Sequence, residues 1–249
     1  ISLSGTIIEY RLSYMRFQTK LIPARLIRRY KRFLADCRLV NGQEVTAHCP
    51  NPGSMMDLAQ PGIKIWLEPN DDPRKKLKYG WRLIEYNDGN FVGVDTSLPN
   101  KVLLTALKTG KIKSLSHYNK IHPEQRYGRN SRIDFLLYSE GSQIGCYIEV
   151  KSVTLSRLSG RAEFPDSVTT RGAKHLEELT KVVQNGHRAI IFYLIQRTDC
   201  TQFSLASDID PTYTNAHIHA AAMGVETLCY DTNINKTGVT INAPVAITI

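Results

Sequence analysis

The feature that most constrains how this chain can fold is a change of texture near Thr96 and Ser97. Before it, short runs of alternating apolar residues are split by turn signals. They are Phe33 to Val40, Glu44 to Cys49, Gly62 to Glu68, Gly80 to Tyr86 and Phe91 to Val94, with Asn41-Gly42 and Asn87-Asp88-Gly89 as turns between them. An Asn-Gly pair tolerates the left-handed backbone that a tight hairpin needs. Five short strands within roughly 65 residues predict a small barrel of the OB type.

After Ser97, helices and strands alternate. Leu98 to Lys108 places Val102, Leu103, Ala106 and Leu107 at helical spacing and is closed by Gly110. Arg132 to Tyr138 and Ile144 to Val153 are β-type runs joined by the turn Glu140-Gly141-Ser142. A helix is expected from Thr170 to Gly186, capped by Thr169 or Thr170, with Ala173, Leu176, Leu179, Val182 and Val183 as its apolar stripe. Ala189 to Ile195 is apolar throughout, as a strand buried on both faces would be. Asp210-Pro211 opens a last helix that runs to Met223, and Val225 to Tyr230 is one more strand. The sequence thus divides into a β-barrel domain over 15–96 and an α/β (α+β) domain with a central mixed sheet over 97–249. Met15-Arg16-Phe17 reads as a natural start, so residues 1–14 are expected to be an upstream extension or a misplaced start.

Composition narrows the setting. Hydrophobic residues make up 42% and charged ones 22%, ordinary for a globular chain and unlike a disordered one. No apolar run approaches the roughly 20 residues of a membrane helix, and Ile1 to Met15 lacks a signal-peptide core. Cys37, Cys49, Cys146, Cys200 and Cys229 are odd in number and far apart, as reduced thiols in a cytoplasmic protein would be. The net charge of +9 favours a polyanionic partner, and nucleic acid is the commonest in a cytosol.

The residues that carry chemistry lie on the two β-type runs. In Tyr147-Ile148-Glu149-Val150-Lys151-Ser152, strand alternation points Glu149 and Lys151 to one face and Ile148 and Val150 to the other. A tight turn back to Arg132-Ile133-Asp134-Phe135 can set Asp134 beside Glu149. Neighbouring carboxylates repel unless a cation lies between them, and Mg2+ or Mn2+ suits two acids plus waters and phosphate oxygens. A lysine close by can orient or deprotonate a water held by that ion and offset charge on the phosphate. Asp134, Glu149 and Lys151 are therefore the candidate catalytic set for phosphodiester hydrolysis, with Asp134 and Glu149 as the metal ligands. Glu124 is a candidate third acid. Arg171, Lys174 and His175 near the start of the following helix suit a phosphate. The remaining basic candidates for nucleic-acid contact are Arg25, Arg28, Arg29 and Arg132. Among aromatic residues near the first three, Tyr30 and Tyr79 are candidates for base stacking, whereas Phe33 and Trp81 are expected in the barrel core. His217 and His219, two apart on a helix, face different ways and make no metal pair. His48 beside Cys49-Pro50-Asn51-Pro52-Gly53 belongs to a structural turn or a nucleic-acid contact.

Several long segments closely resemble the bacterial sugar fermentation stimulation protein A family. They are residues 21–36, Cys49 to Met55, Ser131 to Phe135, Tyr147 to Leu155 and Phe164 to Gly172. The resemblance implies an N-terminal OB-like domain and a C-terminal restriction-endonuclease-like domain. It also implies DNA binding and a role in regulating sugar, particularly maltose, utilisation genes. Asp134, Glu149 and Lys151 match the acidic and lysine positions of the PD-(D/E)XK nuclease motif, and Ile133 stands where its name has proline. Three readings stay open: a metal-dependent nuclease, a non-catalytic DNA-binding regulator using the same fold as a scaffold, and a protein-interaction module with a solvated charged face.

Overall fold

A computed structural model of the chain describes residues 14–128 and 131–248, so all but the last residue of the expected 1–14 extension lies outside them. After β1 (Met15–Arg16), which joins the sheet of the second domain, the first domain contains β2 (Ile22–Tyr30), β3 (Leu34–Leu39), β4 (Glu44–His48), β5 (Lys64–Pro69), β6 (Tyr79–Glu85) and β7 (Phe91–Gly93). Antiparallel pairing runs β4-β3-β2-β5-β6, and a parallel contact at His48–Gly80 joins β4 to β6 and closes a barrel. Alternation sends Ala35, Cys37, Ile65 and Leu67 inward, and a bulge between Trp81 and Leu83 of β6 lets Trp81 and Ile84 join them, all without measurable exposure. The Trp81 indole donates its one N–H to the Leu83 carbonyl at 3.1 Å, so the buried ring leaves no donor orphaned.

Two sequence expectations change here. The ring takes β2 as a member, whereas β7 only adds to its edge through β6. Pro23 and a run of arginines hide the strand period of β2 from a reader of the sequence. Phe33 is 44% exposed rather than buried, because Lys31 and Arg32 adopt left-handed backbone (φ 47° and 61°) and turn the hairpin outward beside it. Its ring stacks on that of His48 at 6.3 Å.

The second domain follows with α1 (Leu98–Lys108), β8 (Lys120–Tyr127), β9 (Ser131–Tyr138), β10 (Cys146–Val153), β11 (Leu155–Leu158) and β12 (Gly160–Phe164). After these come α2 (Thr170–Gln184), β13 (Arg188–Ile195), β14 (Cys200–Leu205), α3 (Pro211–Ala222), β15 (Glu226–Asn235), β16 (Gly238–Pro244) and β17 (Ile247–Thr248). The central sheet is mixed, in the order β1-β16-β15-β13-β10-β9-β8, with β10, β13 and β15 parallel. A smaller sheet, β11-β12-β14-β17, stands beside it. Ile148, Val150, Ile190, Phe192 and Leu194 pack with Val102 and Leu103 of α1 on one face of the large sheet. Ile191, Tyr193 and Ile195 pack with Leu176 and Leu179 of α2 and Tyr213 of α3 on the other. The first of these cores also takes in Leu21, Trp66 and Leu83, so the barrel and the second domain share apolar packing.

The start of α2 is fastened twice. Thr169 caps it, its hydroxyl accepting from the Gly172 amide at 3.0 Å. Asp210, itself the cap of α3, accepts from the Thr169 amide at 2.7 Å and the Tyr213 amide at 2.9 Å. Thr169→Ala is expected to cost about 1 kcal/mol. Thermal denaturation should register this as a fall of about 2–4 °C. An unchanged melting temperature would show that Asp210 alone holds this helix start.

Candidate functional site

The site begins where two strands part. Residues 135–137 of β9 pair with residues 146–148 of β10, and the ladder stops at Phe135–Ile148, one step short of Asp134 and Glu149. Ile133 packs into the α2-side core while Phe135 packs into the α1-side core, although residues two apart on a flat strand share a face. β9 therefore rotates at Asp134. Glu124, across from it on β8, has left-handed backbone at φ 53°. The Asp134 carboxylate fills the gap: Oδ2 accepts from the Val150 amide at 2.7 Å and Oδ1 from Asn100 Nδ2 on α1 at 2.7 Å.

Glu149 and Lys151 project together on the α2 side, as strand alternation requires. Lys151 Nζ donates to Glu149 Oε1 at 2.9 Å, and both side chains are largely buried. His175, from the first half of α2, meets the same Glu149 oxygen through Nδ1. Arg171 Nε, one turn earlier, lies 3.3 Å from His175 Nε2. The chain Arg171–His175–Glu149–Lys151 thus ties α2 to β10. His175 read from the sequence as a phosphate contact, but it is 6% exposed and engaged with the acid instead. Its signal was present: His175 sits beside Leu176 on the buried face of the helix, where a polar side chain needs a partner.

Burial pushes the Asp134 carboxyl up to about 6, and the charge of Glu149 adds to the effect, against the amide and Asn100 bonds. For Glu149, burial also acts upward, but the His175 contact and the Lys151 charge outweigh it and leave its pKa below the ordinary value. One acid is therefore satisfied by partners within the protein, and the other carries the cost of its neighbour. The donor set fits a hard divalent ion, since Asp134 and Glu149 adjoin and Mg2+ asks the protein for only one or two carboxylates. Among the described residues no group of three or more His, Cys, Asp or Glu is arranged to hold a metal. Glu124 is exposed on β8 and does not complete such a group.

Lys151 lines a cleft of about 450 Å³ whose far wall is Asn51, Pro52 and Gly53 from the barrel domain. That loop is braced from both sides. Arg29 Nη2 donates to the carbonyls of Asn51 at 2.8 Å and Gly53 at 3.0 Å. Ser54 Oγ donates to the Asp166 carbonyl at 3.0 Å, and a Cβ on Gly53 would stand 2.6 Å from Asp166 Oδ2. The resembling segments around Pro50–Gly53 and Pro165–Asp166 are thus one junction at the mouth of the site.

The basic candidates separate by how far they are occupied. Arg25, Arg132, Arg171 and Lys174 are exposed. Arg132 lies directly across from Arg126, two like charges that an anion would reconcile. Arg28 is paired with Asp36 at 2.8 Å, and Arg29 is spent on the loop carbonyls. His217 is 1% exposed and bonded to Thr227, while His219 is exposed, so they face apart as expected. All five cysteines are buried and unpaired, and burial pushes every thiol up, Cys37 and Cys146 to about 12.

Comparison with known proteins agrees with both domains. Residues 27–94 match the profile described as the SfsA N-terminal OB domain, and residues 97–238 that of the sugar fermentation stimulation protein RE domain. A sugar fermentation stimulation protein homolog of Roseobacter denitrificans is 63% identical over 234 residues, covering 94% of this chain and 99% of the relative. Its counterpart in Ruegeria pomeroyi is 64% identical over 227 residues, covering 91% and 98%. The solved structure of Pyrococcus furiosus SfsA, described as a complex with Ca2+, superimposes with a TM-score of 0.85 at 24% identity and covers 95% of this chain and 99% of that one. Family models match both halves of the chain, relatives covered along nearly their whole length share well over half of their residues with it, and the chain belongs to the sugar fermentation stimulation protein (SfsA) family.

Proposed function

We propose that this chain is a DNA-binding protein whose second domain carries a Mg2+- or Mn2+-dependent nuclease-type site for phosphodiester hydrolysis. The observation that carries the reading is the parting of β9 and β10 at Asp134 and Glu149, with Lys151 bonded to Glu149 and facing the cleft. Asp134 and Glu149 would hold the ion, which when bound supplies Lewis-acid activation of the phosphate and of water. Lys151 keeps an amino group in the cleft, which as the ammonium can give up a proton and offset charge gathering on the phosphoryl oxygens, and as the free amine can take a proton from water. His175 and Arg171 hold Glu149 in place from the helix. Arg25, Arg132, Arg171 and Lys174 supply positive charge for the phosphate backbone, and the five buried, unpaired thiols agree with a cytoplasmic address.

The test is incubation of the full chain with single- and double-stranded DNA, with and without Mg2+ or Mn2+. Cleavage that appears with the ion and stops with a chelator is the expected result. Binding without cleavage under every ion would favour the second reading, a DNA-binding regulator of sugar (maltose) utilisation genes. That reading draws on Glu149, which already has Lys151 and His175 as partners and is satisfied with no added cation. Under both readings binding is salt-sensitive. Neutralising about four phosphates predicts a loss of about 100-fold in affinity over a fourfold rise in salt. A flat titration would point to protein interaction instead.

A further inference from the structure

A cleft of about 800 Å³ opens between α2 and the strands β8–β10, on the same side of the sheet as Glu149. Tyr147 and Glu149 are two apart on β10 and share that face. On α2, Lys174 lines the cleft while the next residue, His175, reaches Glu149. The cleft and the candidate metal centre are therefore neighbours across one turn of helix.

Its walls have a definite chemistry. Three rings follow one another, Tyr127 to Tyr147 at 5.9 Å between centroids and Tyr147 to His187 at 5.5 Å. The Gly145 amide donates to His187 Nδ1 at 3.1 Å, which fixes that ring and leaves the proton of its neutral form on Nε2. Lys174 and Lys181, two helical turns apart, are exposed at the rim with Glu177. Glu178 is 7% exposed. Its Oε1 accepts from Ser131 Oγ at 2.8 Å, with Lys174 Nζ 3.7 Å away. Neither Glu178 Oε2 nor the Tyr127 hydroxyl has a hydrogen-bond partner among the described residues. Both atoms are closed off from the surface behind the cleft wall, so the open cleft presents the rings and the rim charges rather than these two groups.

Aromatic walls select a planar ring, and rim ammonium groups select a phosphate. A nucleotide carries both. We infer that this cleft takes the base of an unpaired nucleotide while its phosphate lies towards Lys174 and Lys181, an inference that rests on the nuclease-type reading of the adjoining site. A base inside a duplex is stacked on both faces and cannot enter unless it is flipped out, so the cleft selects single strands, strand ends or extruded bases.

The probe is a short single-stranded DNA oligonucleotide carrying 2-aminopurine at each position in turn, bound to the full chain with Lys151→Ala so that it stays intact. At one position the fluorescence should be quenched several-fold, and the same probe held in a duplex interior should not respond. Tyr147→Leu is expected to remove most of the quenching and weaken binding about tenfold, while Tyr147→Phe keeps both. Lys181→Glu, on the exposed rim, gives the same weakening without touching the core. Oligonucleotide that binds by anisotropy but is quenched nowhere would overturn the inference. So would quenching indifferent to both Tyr147→Leu and Lys181→Glu, or failure of the oligonucleotide to bind at all. Cleavage by the unmodified chain is scored separately. Quenching without cleavage keeps the base cleft and sinks the nuclease reading; cleavage without quenching does the reverse.

Discussion

Replacing Lys151 by alanine is expected to lower divalent-dependent DNA cleavage by about 100- to 10,000-fold, the range that a positioned proton-transfer group contributes. The side chain is small in area but central in charge, since it holds Glu149 Oε1 at 2.9 Å and faces the cleft. Its loss leaves His175 as the remaining side-chain partner of a buried acid. Exposed contacts at Arg25, Arg132, Arg171 and Lys174 are untouched, so DNA affinity should stay within a few-fold of the parent. Lys151→Arg keeps the charge but cannot readily give up a proton, and it should recover binding of Glu149 without recovering the rate. Equal cleavage by parent and Lys151→Ala preparations would assign the activity to a contaminant and remove the nuclease reading.

Asp134→Asn is expected to stabilise the metal-free protein at neutral pH while abolishing its response to the ion. The Asp134 carboxyl is pushed up to about 6 from an ordinary 3.8, by burial first and then by Glu149. A carboxyl raised in the folded state favours the protonated native form. Its contribution is fully present below pH 3.8 and is lost as pH rises through about 6. Above that, the ionised side chain costs about 2–3 kcal/mol. Asparagine keeps an oxygen for the Val150 amide and carries no charge. At pH 7 without metal the variant should therefore melt about 5–10 °C higher, and near pH 4 the two curves should converge. Adding Mg2+ or Mn2+ should raise the parent and leave the variant where it was. A variant that melts lower than the parent at pH 7 would show that the amide and Asn100 bonds outweigh the repulsion from Glu149.

How much of this was legible in the sequence follows from what each residue answers to. Glu149 and Lys151 share a face because of strand geometry alone, and Ile148 and Val150 are buried opposite them as expected. The caps at Thr169 and Asp210 are local hydrogen bonds and read directly from residue type. By contrast β2 carries Pro23 and three arginines, and its inward positions are only visible once β3 and β5 flank it. The small sheet was missed for a like reason, since β11 and β12 are short and hold Arg157, Arg161 and Glu163. Arg157 bonds Glu163 and Asp208 across a separation no local pattern records. His175 and Glu178 belong to the same class. Their buried helical positions were readable, but their partners Glu149 and Ser131 come from other strands.

The packing of Leu21, Trp66 and Leu83 with α1 and the central sheet has a practical corollary. Cutting the chain at the seam between its halves would strip both cut faces of their oil and take the Asn51–Gly53 wall away from Lys151. Separated halves would thus be poor witnesses to what either contributes, and point changes in the intact polypeptide are the sound way to apportion the work.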